Sequence, residues 1–242
     1  MSDPQHPPEK VEIKANVSDE DAESAAEAVG LRPRDAERRS IWFAESGIGL
    51  DAGRLALDAR GIIIRLRKVI DGPDDCTVKL RGPQAPALSR YWAERFEIEG
   101  DWSGEKHLFS ASLVAEVPAG RVDRAAESSD LSPVFDEDQC RYLEQECRPP
   151  IDLADLRRLG PIAALKWKSV RIPGRDDLHA EQWELPGLRF LEFSIRVDWS
   201  DRKKSQDTFQ KVLRDKGIRL DRVQAPKTAR VLRRLAGLPD DG

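Results

Sequence analysis

Basic side chains recur at alternate positions along several short stretches of this 242-residue chain. Arg65 and Arg67 share a parity, with Ile64 and Leu66 between and beside them. Thr77, Lys79 and Arg81 alternate with Val78 and Leu80, and Lys166 and Lys168 with Leu165 and Trp167. Acids obey the same rule, since Glu97 and Glu99 alternate with Phe96 and Ile98. Two strands are mixed: Lys10, Glu12 and Lys14 near one end of the chain, Glu192, Ser194 and Arg196 near the other. In a strand, period-2 alternation puts each charged set on one face. Like charges on paired strands repel, by roughly a few tenths of a kcal/mol or more per pair. A hairpin whose charged faces carry Arg65, Arg67, Lys79 and Arg81 therefore implies a counter-ion. Guanidinium forks match phosphate oxygens and ammonium groups add point charges, so the chemistry is the grip on a polyanion. Carboxylates close by are oxygen ligands suited to a hard divalent cation, Mg²⁺ or Mn²⁺.

The elements that position these groups follow from the same alternation. Residues 10–19 and 192–201 align without a gap as KVEIKANVSD and EFSIRVDWSD, which points to an internal duplication. Strands are expected over 11–17, 40–44, 61–67, 76–81, 95–99, 108–114, 164–170, 180–185 and 190–197. The third and fourth form a hairpin turned through Asp71-Gly72-Pro73-Asp74. Helices are expected over 18–30, opened by Ser18 and stopped by Gly30, and over 136–146, 153–159 and 202–216. The polar, turn-rich stretch 118–133 reads as a linker. Most strands carry ions on one face and apolar residues on the other. A sheet with one solvated face is the plain explanation. A closed sheet explains more of the pattern: apolar faces point outward under helices, and charged faces line a wet tunnel. On the strand 180–185 the parity leaves it open whether Glu181 or Glu184 faces inward.

Composition narrows the partners. Charged residues make up 35% and hydrophobic residues 39%, which suits a wet interior better than a large dry core. With 40 basic and 44 acidic residues the net charge is −4, so no nucleic-acid or membrane partner is expected. No run is apolar enough to span a bilayer, and MSDPQHPPEK has no signal-like segment, so a cytoplasmic location is expected. Cys76, Cys140 and Cys147 lack zinc spacing and read as reduced thiols. The six tryptophans read as sheet-to-helix packing, His107 and His179 as surface residues, and 230–234 as a solvated helix face.

Val11-Glu12-Ile13-Lys14, Gly61-Ile62-Ile63-Ile64-Arg65-Leu66-Arg67, Thr77-Val78-Lys79-Leu80, Glu97-Ile98-Glu99 and Phe190-Leu191-Glu192-Phe193-Ser194-Ile195-Arg196 stand in the order seen in the CYTH superfamily. The chain resembles that family, which includes class IV adenylate cyclases, thiamine triphosphatases and inorganic triphosphatases, over about residues 9–232. The resemblance implies an α+β fold, an eight-stranded antiparallel closed β-tunnel with helices outside, flanked by tails at 1–8 and 233–242. It also implies a triphosphate held with divalent ions. On that basis Lys14, Arg65, Arg67, Lys79, Arg81, Lys166, Lys168 and Arg196 are expected to bind phosphate. Glu12, Glu97, Glu99 and Glu192 are expected to hold Mg²⁺ or Mn²⁺, and Lys79 to accept a proton. The expected activity is metal-dependent hydrolysis of tripolyphosphate or a small organic triphosphate. Binding of polyphosphate or a nucleotide without turnover, and nucleotide cyclisation, are the alternatives. Two features depart from the family. Its Glu-x-Glu-x-Lys signature reads Lys10-x-Glu12-x-Lys14 here, and the last strand reads Glu192-x-Ser194 where a second Glu is usual. The only tyrosines, Tyr91 and Tyr142, lie far in sequence from the basic hairpin.

Overall fold

The computed structural model describes residues 7–239 except 129, 173, 174, 223, 225 and 226. Most of the expected tail at 1–8, and the end of that at 233–242, lie outside the described residues. The strands are β1 (Lys10–Val17), β2 (Glu37–Ser46), β3 (Ile62–Val69), β4 (Asp74–Gly82), β5 (Glu97–Ser103), β6 (Lys106–Val117), β7 (Leu156–Ile172), β8 (Arg175–Leu185) and β9 (Leu188–Asp198). They close into one barrel in the order β1-β5-β6-β4-β3-β2-β7-β8-β9. The barrel has nine strands where the resemblance implied eight. Strand directions can alternate all the way round only when the number is even, so nine strands require a parallel pair. That pair is β1 and β5, with Glu12 beside Asp101. The other neighbours are antiparallel.

The matched stretches at the two ends of the chain lie side by side. In the β1–β9 ladder Ile13 pairs with Ile195, its own counterpart in the alignment. Glu12 faces Arg196 and Lys14 faces Ser194, as a local two-fold axis through the isoleucine pair requires. A helix follows each copy: α1 (Asp19–Ala28) after β1, and a helix beginning at Arg202 after β9.

Further helices are α2 (Gly47–Asp51), α3 (Arg90–Ala93), α4 (Arg121–Glu127), α5 (Glu137–Arg141), α6 (Arg202–Asp215) and α7 (Lys227–Leu235). The outward strand faces are apolar and largely covered by helices. Ala22 and Ala25 of α1, with Phe209 and Leu213 of α6, pack on Val11, Ile13, Phe193 and Ile195. Val122 and Ala125 of α4, with Leu143, pack on Ile64, Leu66, Val78 and Leu113. Gln139 of α5 is fully buried and donates its side-chain amide to the carbonyls of Cys76 and Leu113, which ties the helix to β4 and β6. The stretch 118–133 is therefore no linker: α4 rises within it because Val122 and Ala125 have an apolar surface to cover. The helix expected over 153–159 is one short turn, and β7 takes the chain from Leu156 onward.

A third apolar cluster sits on inward positions at one end of the barrel. Ile41, Phe43, Ile63, Ile162, Trp183 and Phe190 meet Val231 and Leu232 of α7, which lies across that end. Lys227, Thr228, Val231 and Leu232 are buried on one face of α7, while Arg230 lies over the Phe190 ring and Arg234 donates to the Pro186 carbonyl. No helix among the described residues is long and apolar enough to cross a membrane.

Stability should rest on the outer apolar layers. Phe209→Ala empties a site with no solvent exposure and should cost about 3–5 kcal/mol in urea unfolding, with the slope of the transition unchanged.

Candidate functional site

The inward faces enclose a cavity of about 340 Å³, in the size range of small-molecule sites. Nine basic and six acidic side chains line it, a surplus of three positive charges. Arg65 and Arg67 come from β3, Lys79 and Arg81 from β4, Lys14 from β1, Lys166 from β7 and Arg196 from β9. All seven were legible from strand parity. Lys168 is different. It is 60% exposed, bonds Glu37 at 2.9 Å and lies outside the cavity lining. Between Trp167 and Val170 the β7–β8 register slips by one residue. A bulge of that kind ends the alternation.

The structure adds lining groups that parity reading missed. Arg39 of β2 contacts Glu37 and lies 3.5 Å from Glu181. Glu181 faces inward, whereas Glu184 pairs with Arg189 outside the cavity lining, which settles the parity of β8. Lys227, from α7, reaches Glu181 at 2.8 Å and Glu192 at 3.0 Å and stacks 4.2 Å over the Trp183 ring. Trp183 thus belongs to the lining as well as to the contact with α7. Asp101 of β5 is the most connected acid. Its carboxylate lies 2.8 Å from Lys14, 3.1 Å from Arg81 and 3.4 Å from Lys79, and its side chain is only 2% exposed. Gly100 beside it allows β1 to approach closely, since a side chain there would press on Val11 and Trp199.

Two cations differ from the rest. Among the described residues, Arg65 and Lys166 line the cavity without an ion pair, although Arg65 donates to the Thr77 hydroxyl at 3.3 Å. The Nε atoms of Arg65 and Arg81 are buried with no hydrogen-bond partner. Buried donors are rarely left so, and these three side chains mark where an anion's oxygens would be satisfied. Phe43, Ile63 and Trp183 supply an apolar patch at the α7 end. His179 was expected at the surface. It is half-buried, opposite Ser194 on the same parity as Glu181, and its Nδ1 has no hydrogen-bond partner.

The field of the cavity shows in its titrations. Burial alone would raise the Asp101 carboxyl, yet Lys14, Arg81 and Lys79 hold it well below the usual range. Burial likewise opposes ionisation of Glu12, but Lys14, with Lys79 and Lys166, brings it down to about 2. Burial, and Glu12 nearby, raise Glu99. Burial lowers Lys79, with Lys14 and Arg81 adding to the effect and Asp101 opposing it. Burial lowers Lys166 against the pull of Glu181 and Glu12. Burial and Lys166 also lower His179, which keeps its imidazole neutral near pH 7.

The four expected metal ligands are all in the lining, but as donors they do not fit a divalent ion. Glu12 bonds Lys14 at 3.0 Å, and Glu192 bonds Lys227. Arg196 spans Glu97 at 3.3 Å and Glu99 at 2.8 Å. No three His, Cys, Asp or Glu side chains among the described residues stand close enough together to hold an ion. Lys10 turns to Asp198 at the rim, 53% exposed.

No family model and no curated protein matches the sequence. Solved structures do match in fold. One is HpAC1 from Hippeastrum, proposed as an adenylyl cyclase and described as having a dominant triphosphatase activity. It aligns at 16% identity over 95% of this chain and 97% of its own, with a TM-score of 0.64. Another is a Bacillus halodurans protein proposed as an adenylate cyclase, at 14% identity over 92% and 97%, with a TM-score of 0.58. At these identities the likeness speaks for the fold: the chain shares a closed β-tunnel with both.

Asp101 should prove the keystone of the charge network. Asp101→Asn leaves three buried cations facing one another and should cost about 3–5 kcal/mol in urea unfolding; part of the loss should be restored by added tripolyphosphate. Depressed carboxylates stabilise the fold above their unfolded values. Wild-type stability should therefore fall as pH drops from 4.5 toward about 2, the interval set by Glu12. A flat urea midpoint across that interval would count against the network.

Proposed function

We propose that this chain is a CYTH-type tunnel protein that binds an inorganic or small organic triphosphate and hydrolyses its anhydride bond. What carries the reading is the pair of unpaired cations, Arg65 and Lys166, with the orphan Nε donors of Arg65 and Arg81, inside a cavity of net positive charge. The triphosphatase activity described for HpAC1, on the same fold, supports it.

Phosphoryl transfer has a loose transition state, with charge spread over the oxygens of the transferred group, so catalysis is mostly positioning and charge stabilisation. Arg65 and Arg81 provide forked donors and Lys166 and Lys79 mobile point charges along a phosphate chain. α7 covers one end of the barrel, so the ligand enters from the end where Glu97 and Arg196 are exposed. The attacking water gives its proton to a neutral base. Lys79 has a lowered pKa but still lies 3.4 Å from Asp101, which favours its ammonium form. Burial and Lys166 lower His179, but it lies outside the cavity lining, so Lys79 is the acceptor that reaches the cavity.

Binding without turnover is the second reading. It is favoured by the carboxylates: each is held by a cation, so none is free to orient a water. Cyclisation needs a base at a ribose hydroxyl beyond the phosphates, and no lining group is arranged for that. Phosphate release from tripolyphosphate separates the first two readings, and cyclic nucleotide formation from ATP tests the third.

Arg65→Ala removes a charged, unshared donor and should weaken tripolyphosphate binding by about 10- to 100-fold in calorimetry, with phosphate release falling in step. The same titration should show a pH dependence. Lys79 and Lys166 must be protonated to hold the anion, and both release their protons below the usual lysine value of 10.5. Affinity should therefore fall as pH rises through that depressed range, before free lysines titrate. Affinity constant up to pH 10.5 would contradict the assignment of both residues.

A further inference from the structure

The carboxylates of this tunnel are neutralised from within. A hard divalent ion binds through one or two carboxylates that must offer open lone pairs, with phosphate oxygens and water completing its shell. Here the Lys14 ammonium bridges Glu12 at 3.0 Å and Asp101 at 2.8 Å. The Arg196 guanidinium bridges Glu97 and Glu99. Each bridge places a positive charge between two of the acids. The sequence differences act in the same direction. Position 10 carries an ammonium that faces outward to Asp198, and position 194 carries a hydroxyl. No group of three donors is assembled anywhere among the described residues. The cavity nonetheless keeps a surplus of three positive charges without any ion.

From this we infer that the tunnel takes its ligand as the metal-free polyphosphate anion, and that protein ammonium and guanidinium groups supply the charge a divalent ion would otherwise bring. This rests on the triphosphate reading above and specifies the chemical form of its ligand. Chelation in solution then competes with the protein. A Mg²⁺-complexed triphosphate carries less negative charge, and its metal meets Lys14 and Arg196 as like charges. Apparent affinity should fall with the fraction of ligand left uncomplexed.

The test is calorimetric titration of the full chain with sodium tripolyphosphate, once in EDTA and once in excess Mg²⁺, beside Mn²⁺ titration of the ligand-free protein followed by electron paramagnetic resonance. Binding should be tight in EDTA and at least about tenfold weaker in Mg²⁺. The free Mn²⁺ signal should be undiminished by protein. Binding that appears only in Mg²⁺, or strengthens there, overturns the metal-free form while leaving the triphosphate reading standing. Stoichiometric loss of the Mn²⁺ signal overturns it as well. No heat in either buffer overturns both.

Discussion

The structure depends on holding like charges together inside a closed sheet. Lys14, Lys79 and Arg81 converge on the single carboxylate of Asp101. Taking such groups out of water is costly, and a buried ion pair seldom does better than apolar residues of the same shape. The cluster therefore does not explain why the barrel is stable. Stability comes from the apolar sandwich outside it, where Phe209, Leu213, Ile13 and Phe193 are sealed between helix and sheet, and from the matching layer around Ile64, Leu66 and Leu143. These layers offset the cost of the ionic interior.

The duplication makes that division of labour easy to build. One strand-then-helix unit, used twice, gives β1 with α1 and β9 with α6, paired about Ile13 and Ile195. Outward positions in the two copies share one apolar cluster. Of the inward positions, Glu12 has diverged to Ser194, while Lys14 and Arg196 are basic in both copies and hold the nearby acids. α7 completes the asymmetry. By covering one end and bringing Lys227 between Glu181 and Glu192, it makes a tunnel into a pocket with one open mouth.

Much of this was legible in the sequence, for a simple reason. Strand parity depends on nothing but the backbone's period, so Arg65, Arg67, Lys79, Arg81 and Lys166 could be assigned to one surface before any coordinates. Each of the nine strand segments was also visible, while the number eight came from the family resemblance. Parity failed where the backbone leaves its period, at the β7 bulge beside Lys168. It also failed where a strand was cut short. Gly100 reads as a break, and so hid Asp101, which keeps the parity of Glu97 and Glu99. Arg39 was lost in the same way at the start of β2. At α7 the stretch 230–234 reads as a solvated helix face, and the buried face was missed because it is short; a proline just before Lys227, with Thr228, Val231, Leu232 and Leu235 at helical spacing, was the available signal. Which carboxylate pairs with which cation is a matter of three-dimensional distance, and no pattern along the chain encodes it.

On the proposed reading, a linear phosphate chain lies along the inside of the barrel, in contact with several strands at once. Phosphorus magnetic resonance of tripolyphosphate added to the full chain tests this directly. The claim predicts that terminal and internal phosphorus signals both shift and broaden, and that sulfate in excess does not reverse the change. Unperturbed signals, or a change abolished by modest sulfate, would contradict it.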